Sequence, residues 1–149
     1  MDQEDPKKVP WGTVDSRFDP IHGAARNRDA KQIRELLASG VDVDCLNGKA
    51  PNGDGGNTAL WFAAQGPAAS GLEVVQILVE AGADINRQCE HGRTALHMAS
   101  AWGHLDVVKY LLARGADETI CAEIDGTPAE MARARGRQEI VDCYASLGS

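Results

Sequence analysis

From Cys89 to Cys121 the chain reads CEHGRTALHMASAWGHLDVVKYLLARGADETIC, and the same pattern returns, whole or in part, on both sides of it. Self-similarity of this kind decides the architecture before any single residue does. Within the unit, Thr94 offers a hydroxyl to the first free backbone N–H groups of a helix. Ala99, Ser100 and Ala101 are small enough for another helix to approach closely. Leu105, Val108, Leu111 and Leu112 form an apolar stripe at helical spacing, widened by Val107. Gly115 follows the last periodic residue, where a helix commonly ends in a left-handed residue. Helices this short cannot bury an apolar face alone, so they stack on copies of themselves.

GRTALHMASAWGHLDVVKYLLARGAD resembles an ankyrin repeat: a Thr-x-Leu-His start, an Ala pair, Gly-His, Val-Val-x-x-Leu-Leu and Gly-Ala-Asp. The one departure in the Thr-Pro-Leu-His box is Ala95. Other copies follow the same pattern. Asp19-Pro20-Ile21-His22 opens the first, with Ala24-Ala25, then Ile33, Leu36 and Leu37, closed by Gly40; Arg28 stands where the family has Gly. Thr58-Ala59-Leu60-Trp61 opens the second, with Ala63-Ala64, then Val74, Val75, Ile77, Leu78 and Gly82. Thr127-Pro128-Ala129-Glu130 opens the fourth, a capping box, and Arg133, Arg135, Arg137 and Gln138 give that unit a polar outer character.

The resemblance therefore implies an all-α ankyrin-repeat solenoid of four helix-turn-helix units with β-hairpin-like loops. The expected units are about 18–46, 47–88, 89–121 and 122–149, after a flexible tail over residues 1–17. Trp11 in that tail either caps the first unit or touches a partner. From Leu96 to Ala129 is 33 residues, from Leu60 to Leu96 is 36, and from Ile21 to Leu60 is 39. The extra residues fall around Gly66–Ser70 and in CLNGKAPNGDGGN. Insertions in solenoids map to loops, often on the binding face. The 47–57 insertion is either a flexible excursion or a finger that meets a partner.

The chain has 149 residues and a net charge of −7, which disfavours non-specific nucleic-acid binding. There is no apolar run of signal-peptide or membrane-spanning length. Cys45, Cys89, Cys121 and Cys143 form no C-x-x-C pair and read as reduced thiols in a cytoplasmic setting. Side chains sharing a repeat slot form a ladder with rungs about 10 Å apart, too far for a triad or a metal cage. No catalytic residue, metal or cofactor is expected. The 47–57 insertion lacks the terminal Glu of a calcium loop and the Gly-Lys-Ser/Thr of a phosphate loop.

Members of the family meet protein partners with loop tips and the exposed side of the first helices. Carried over by position, this points to Glu90, His91, Arg93 and Glu123 at the tips, with Asp54, Gly55, Asn57, Ile124 and Gly126 beside them. On the helices it points to Arg26, Asn27, Gln65, Trp61 and Trp102. Trp102 is the expected anchor, since Trp and Arg dominate interface hot spots; its alternative is half-packing against the next repeat. Trp61, in the family's His slot, either fills space or faces the partner. His22, His97 and His104 read as structural ties. The expected function is non-catalytic binding of a protein partner through the concave face and loop tips, by a monomer, as a stand-alone enzyme inhibitor or as an adaptor using the tail or the 47–57 loop.

Overall fold

The computed structural model describes residues 20–46, 56–66 and 71–147. The expectations for the 1–17 tail, Trp11, Asp19, Asp54 and Gly55 lie outside the described residues, as do residues 67–70.

Among the described residues the chain forms eight α-helices in four pairs: α1 (Pro20–Arg26) with α2 (Ala30–Ala38), α3 (Ala59–Ala63) with α4 (Leu72–Glu80), α5 (Ala95–Trp102) with α6 (Leu105–Ala113), and α7 (Pro128–Ala134) with α8 (Gln138–Leu147). The first helices stack in the order α1, α3, α5, α7 and the second in the order α2, α4, α6, α8, so each pair touches its neighbours along one axis. No strand forms among the described residues. The finger loops carry one isolated antiparallel bridge, Ala122 with Gly126, and a turn in which the Cys89 amide donates to the Arg93 carbonyl at 2.7 Å.

The helices start where the sequence offers caps. The hydroxyls of Thr58, Thr94 and Thr127 accept from the amides of Trp61, His97 and Glu130. Thr127 and Glu130 close the expected capping box; Thr94 and His97 close a second, in which an imidazole replaces the usual carboxylate. The core runs the length of the stack through Ile21, Ile33, Leu60, Leu78, Leu96, Leu111 and Ile140. On α6 the buried stripe is Val107, Val108 and Leu111, while Leu105 and Leu112 are half-buried. All five expected residues thus face the core, with Val107 fully inside and Leu105 and Leu112 at the margins, as suits a helix packed by α4, α5 and α8.

The turns between paired helices are tied across repeats. His104 Nε2 bonds the Gly66 carbonyl at 2.8 Å, and Arg137 Nε donates to the Ala101 carbonyl at 2.9 Å. Arg28 reaches forward, donating to the carbonyls of Arg26 (2.9 Å) and Gln65. Each tie satisfies a carbonyl at or near the end of a first helix that has no intrahelical partner.

Arg28 holds φ of 57°, the left-handed conformation that Gly103 and Gly136 adopt in the corresponding turns. A non-glycine residue there costs roughly 1–2 kcal/mol. Hydrogen bonds from a charged donor contribute about 1.5–3 kcal/mol each, so the tie outweighs the strain. Arg28→Gly is expected to lower stability by about 1–3 kcal/mol in urea unfolding, although glycine suits the backbone better. A gain in stability would show that the guanidinium contributes less than the strain it imposes.

Candidate functional site

The finger loops expose a compact group of polar side chains. Asn57 organises the group: its Oδ1 accepts from the Glu90 amide at 2.9 Å and its Nδ2 donates to Glu90 Oε2 at 3.4 Å. His91 sits at the tip with φ of 58°, which turns its imidazole outward between two acids. Its Nε2 lies 3.5 Å from Glu90 Oε1 and its Nδ1 lies 3.9 Å from Glu123 Oε2. The Glu123 amide donates to the His91 carbonyl at 3.0 Å, which fixes the third and fourth fingers side by side. The structure thus brings Glu90, His91 and Glu123 together, with about half of each side chain in solvent.

Beside them stands Ile124, 85% exposed. Its position at a tip is legible in the sequence, but its weight is not, because only the fold shows that nothing covers it.

Arg93, expected in the polar rim, is held by an acid of the next finger. Its Nε donates to Asp125 Oδ2 at 2.6 Å, with only 23% and 20% of the two side chains exposed. The Arg93 hydrogen bond holds the Asp125 carboxyl below the ordinary carboxylate range. Sequence reasoning missed Asp125, since the pair spans neighbouring fingers and no local pattern marks it. Because the pair is half-buried and close, it exceeds an ordinary surface ion pair. A double-mutant cycle of Arg93→Ala and Asp125→Ala is expected to return a coupling of about 1–2 kcal/mol in urea unfolding. A coupling near zero would restore Arg93 as a free rim side chain.

Trp61 takes the first of its two expected readings and fills space, so its place among the partner-facing residues is withdrawn. It is 6% exposed and packs T-shaped on Phe62 at 5.3 Å, so it is a core residue and presents no usable surface. An indole at the third position of α3 points inward for the same reason that His97 does in α5: this slot faces the neighbouring repeat.

The remaining candidates lie at the opposite end of the first helices. Arg26 and Asn27 are exposed at the end of α1, and the Arg26 guanidinium lies 5.2 Å above the Phe62 ring. Gln65 is half-buried just beyond α3, its carbonyl held by Arg28. Trp102 is half-buried at the end of α5, packed on the core and lining a cleft against the α7–α8 turn. At about 1.5 Å per residue, α5 sets Trp102 roughly 12 Å along the helix from Thr94, at the far end from the fingers. One continuous Trp102-centred patch rimmed by Glu90, His91 and Glu123 is therefore not what the geometry builds. There are two edges: an acidic finger edge and an inner-turn edge that carries Arg26, Arg28, Arg137 and Trp102.

Among the described residues no group of three or more His, Cys, Asp or Glu side chains is placed to hold a metal ion. No disulfide forms among the described residues, and burial pushes the Cys89 thiol up. No described helix is long and apolar enough to cross a membrane.

Helix pairs stacked along one axis, with finger loops pinned to their neighbours, define a repeat solenoid. A family model of ankyrin repeats, in three copies, matches residues 21–121, and the chain belongs to the ankyrin repeat family. The α7–α8 pair lies beyond the matched span and continues the same stack. The chain is 30% identical over 92 residues to the inactive serine/threonine-protein kinase TEX14 of Mus musculus, covering 62% of this chain and 6% of that protein. It is 36% identical over 80 residues to the E3 ubiquitin-protein ligase Ufd4 of Drosophila melanogaster, covering 52% of this chain and 2% of that protein. The chain thus spans only a small part of the curated relatives it matches. Ankyrin repeats are generally non-catalytic protein–protein interaction modules.

Proposed function

We propose that this chain is a non-catalytic binding module that holds a basic protein surface against its finger edge. The observation that carries the reading is Ile124, exposed and flanked in the chain by Glu123, whose carboxylate lies 3.9 Å from His91, and by Asp125. An apolar contact ringed by charge is the usual plan of an interface hot spot with a polar rim. The net charge of −7 selects a basic partner and speeds encounter with it. Where that basic surface surrounds an enzyme's active site, binding inhibits the enzyme; this is the form of the reading that fits a small acidic domain best. The absence of a disulfide among the described residues fits a reducing, cytoplasmic setting.

The test is site-specific photo-crosslinking from position 124, with position 109 on the exposed side of α6 as the comparison. One protein captured from 124, absent from 109 and displaced by added salt supports the reading. Equal capture from both positions, or capture that Ile124→Asp leaves unchanged, overturns it.

A further inference from the structure

The cleft at the inner-turn edge is independent of the finger tips and has its own chemistry. It encloses about 380 Å³ and is lined by Trp102, Gly103, Gly136, Arg137, Glu139 and Ile140. The half-buried Trp102 indole is its one aromatic surface, and the rest of the lining is mostly polar. Two sets of donors on its wall lack acceptors among the described residues. The Trp102 indole N–H makes no hydrogen bond, and Arg137 uses only its Nε, on the Ala101 carbonyl at 2.9 Å.

That single bond positions the rest of the guanidinium. The Arg137 side chain lies across Gly103 so closely that a Cβ there would stand 3.3 Å from Cδ and 3.4 Å from Nε. Glycine at 103 thus lets Arg137 lie close across the turn in the same cleft as Trp102, with its two terminal nitrogens directed to no acceptor among the described residues. A guanidinium anchored through Nε keeps a fork that matches the two oxygens of a carboxylate, and being held in advance it loses little freedom on binding. Glu139 is the one acidic side chain in the lining, and it weighs against a dianion such as phosphate more than against a singly charged carboxylate.

We propose that this cleft is a second contact point, which takes the carboxylate of a partner segment carrying an apolar or aromatic side chain next to it. The carboxylate lies on the Arg137 fork and the Trp102 N–H, and the apolar side chain lies on the indole. With the acidic finger edge at the other end of the first helices, the molecule then fixes a partner's orientation by opposite charge at two points, which is where charge complementarity contributes most.

The test is a titration of the intact chain with three peptides, acetyl-Leu-Asp-Phe-amide and its Asn and phosphoserine counterparts, followed by the Trp102 indole N–H signal in NMR. The Asp peptide is expected to bind on the order of millimolar, as suits a single small contact. The Asn peptide is expected to be about tenfold weaker, since a charge-assisted pair is replaced by a neutral one. Glu139→Gln, at an exposed position, is expected to tighten the Asp peptide by about threefold without disturbing the fold. Arg137→Lys keeps the charge and loses the fork, and is expected to weaken it by about tenfold. Equal affinity for the Asp and Asn peptides, no response to Glu139→Gln, or no shift of the indole signal up to 10 mM peptide would each overturn the proposal. Tighter binding of phosphoserine than of Asp overturns it too, and reassigns the cleft to phosphopeptides.

Discussion

Leu96→Ala is expected to remove about 2–5 kcal/mol of stability, the range for truncating a buried leucine in a core that relaxes only partly. Leu96 is 1% exposed and sits on α5, which packs on α3, α6 and α7. Its side chain therefore supports contacts within its own repeat and at both repeat interfaces. A domain of this size holds about 5–15 kcal/mol in total, so the loss is a large share of it. In a one-dimensional stack the damage has a further consequence: weakening an interior interface divides the array, and the flanking pairs lose the neighbours that make them stable. Urea unfolding followed by circular dichroism should show a midpoint moved well below wild type, with a broader transition. Leu112→Ala, at a half-buried position on α6, should cost about 1 kcal/mol. Equal losses at the two positions would mean that the stack is not held by the α5 interfaces.

How much of this was legible beforehand depends on the range of each interaction. Helix starts were readable because Thr58, Thr94 and Thr127 act within one turn, on amides three residues away. Buried faces are readable because periodicity projects directly onto one side of a helix; on α6 only the split between centre and margin needs the structure. Partners one repeat away were not readable. Arg93 with Asp125, His104 with the Gly66 carbonyl and Arg28 with the Gln65 carbonyl join residues 32, 38 and 37 positions apart. A repeat period predicts that such residues are neighbours; it does not say which donor takes which acceptor. The same limit explains the site. Sequence position assigned Trp102, Glu90 and Arg93 to one surface, since all belong to one repeat, whereas the length of α5 holds Trp102 apart from the finger residues and Arg93 is drawn off by Asp125. Trp61 shows the converse: its slot was recognised, and the slot's inward direction decides that the larger ring is buried as the imidazole is.

Acid is expected to destabilise the fold through His97. The Thr94 amide donates to His97 Nδ1 at 3.0 Å, so Nδ1 is an acceptor and the proton is on Nε2, which donates to the Gly126 carbonyl at 2.9 Å. The imidazole is fully buried, so it links the capping box of α5 to the next finger only while neutral. Burial is the main reason its pKa lies below the ordinary histidine value of 6.5; the Gly126 bond and Asp125 oppose that shift without cancelling it, and Arg93 adds to it. The unfolded chain therefore binds this proton more readily than the folded one. Stability from this group is fully present above about pH 6.5 and is lost as pH falls below it toward the lower folded value. Protonation would also set a new N–H against the Thr94 amide, leaving two donors facing each other in a buried site. The carboxyls of Asp125 and Glu130 are themselves held below their ordinary values, so their contribution fades only at lower pH and stays separable. Unfolding free energies measured by urea at intervals from pH 7.5 to 5 should fall more steeply for wild type than for His97→Gln, which is less stable throughout but lacks the titrating group. His22 and His104 are present in both proteins, so the difference between the two slopes isolates position 97. Parallel slopes would mean that His97 enters the fold without a protonation preference, and that the link between α5 and the fourth finger does not depend on its neutral form.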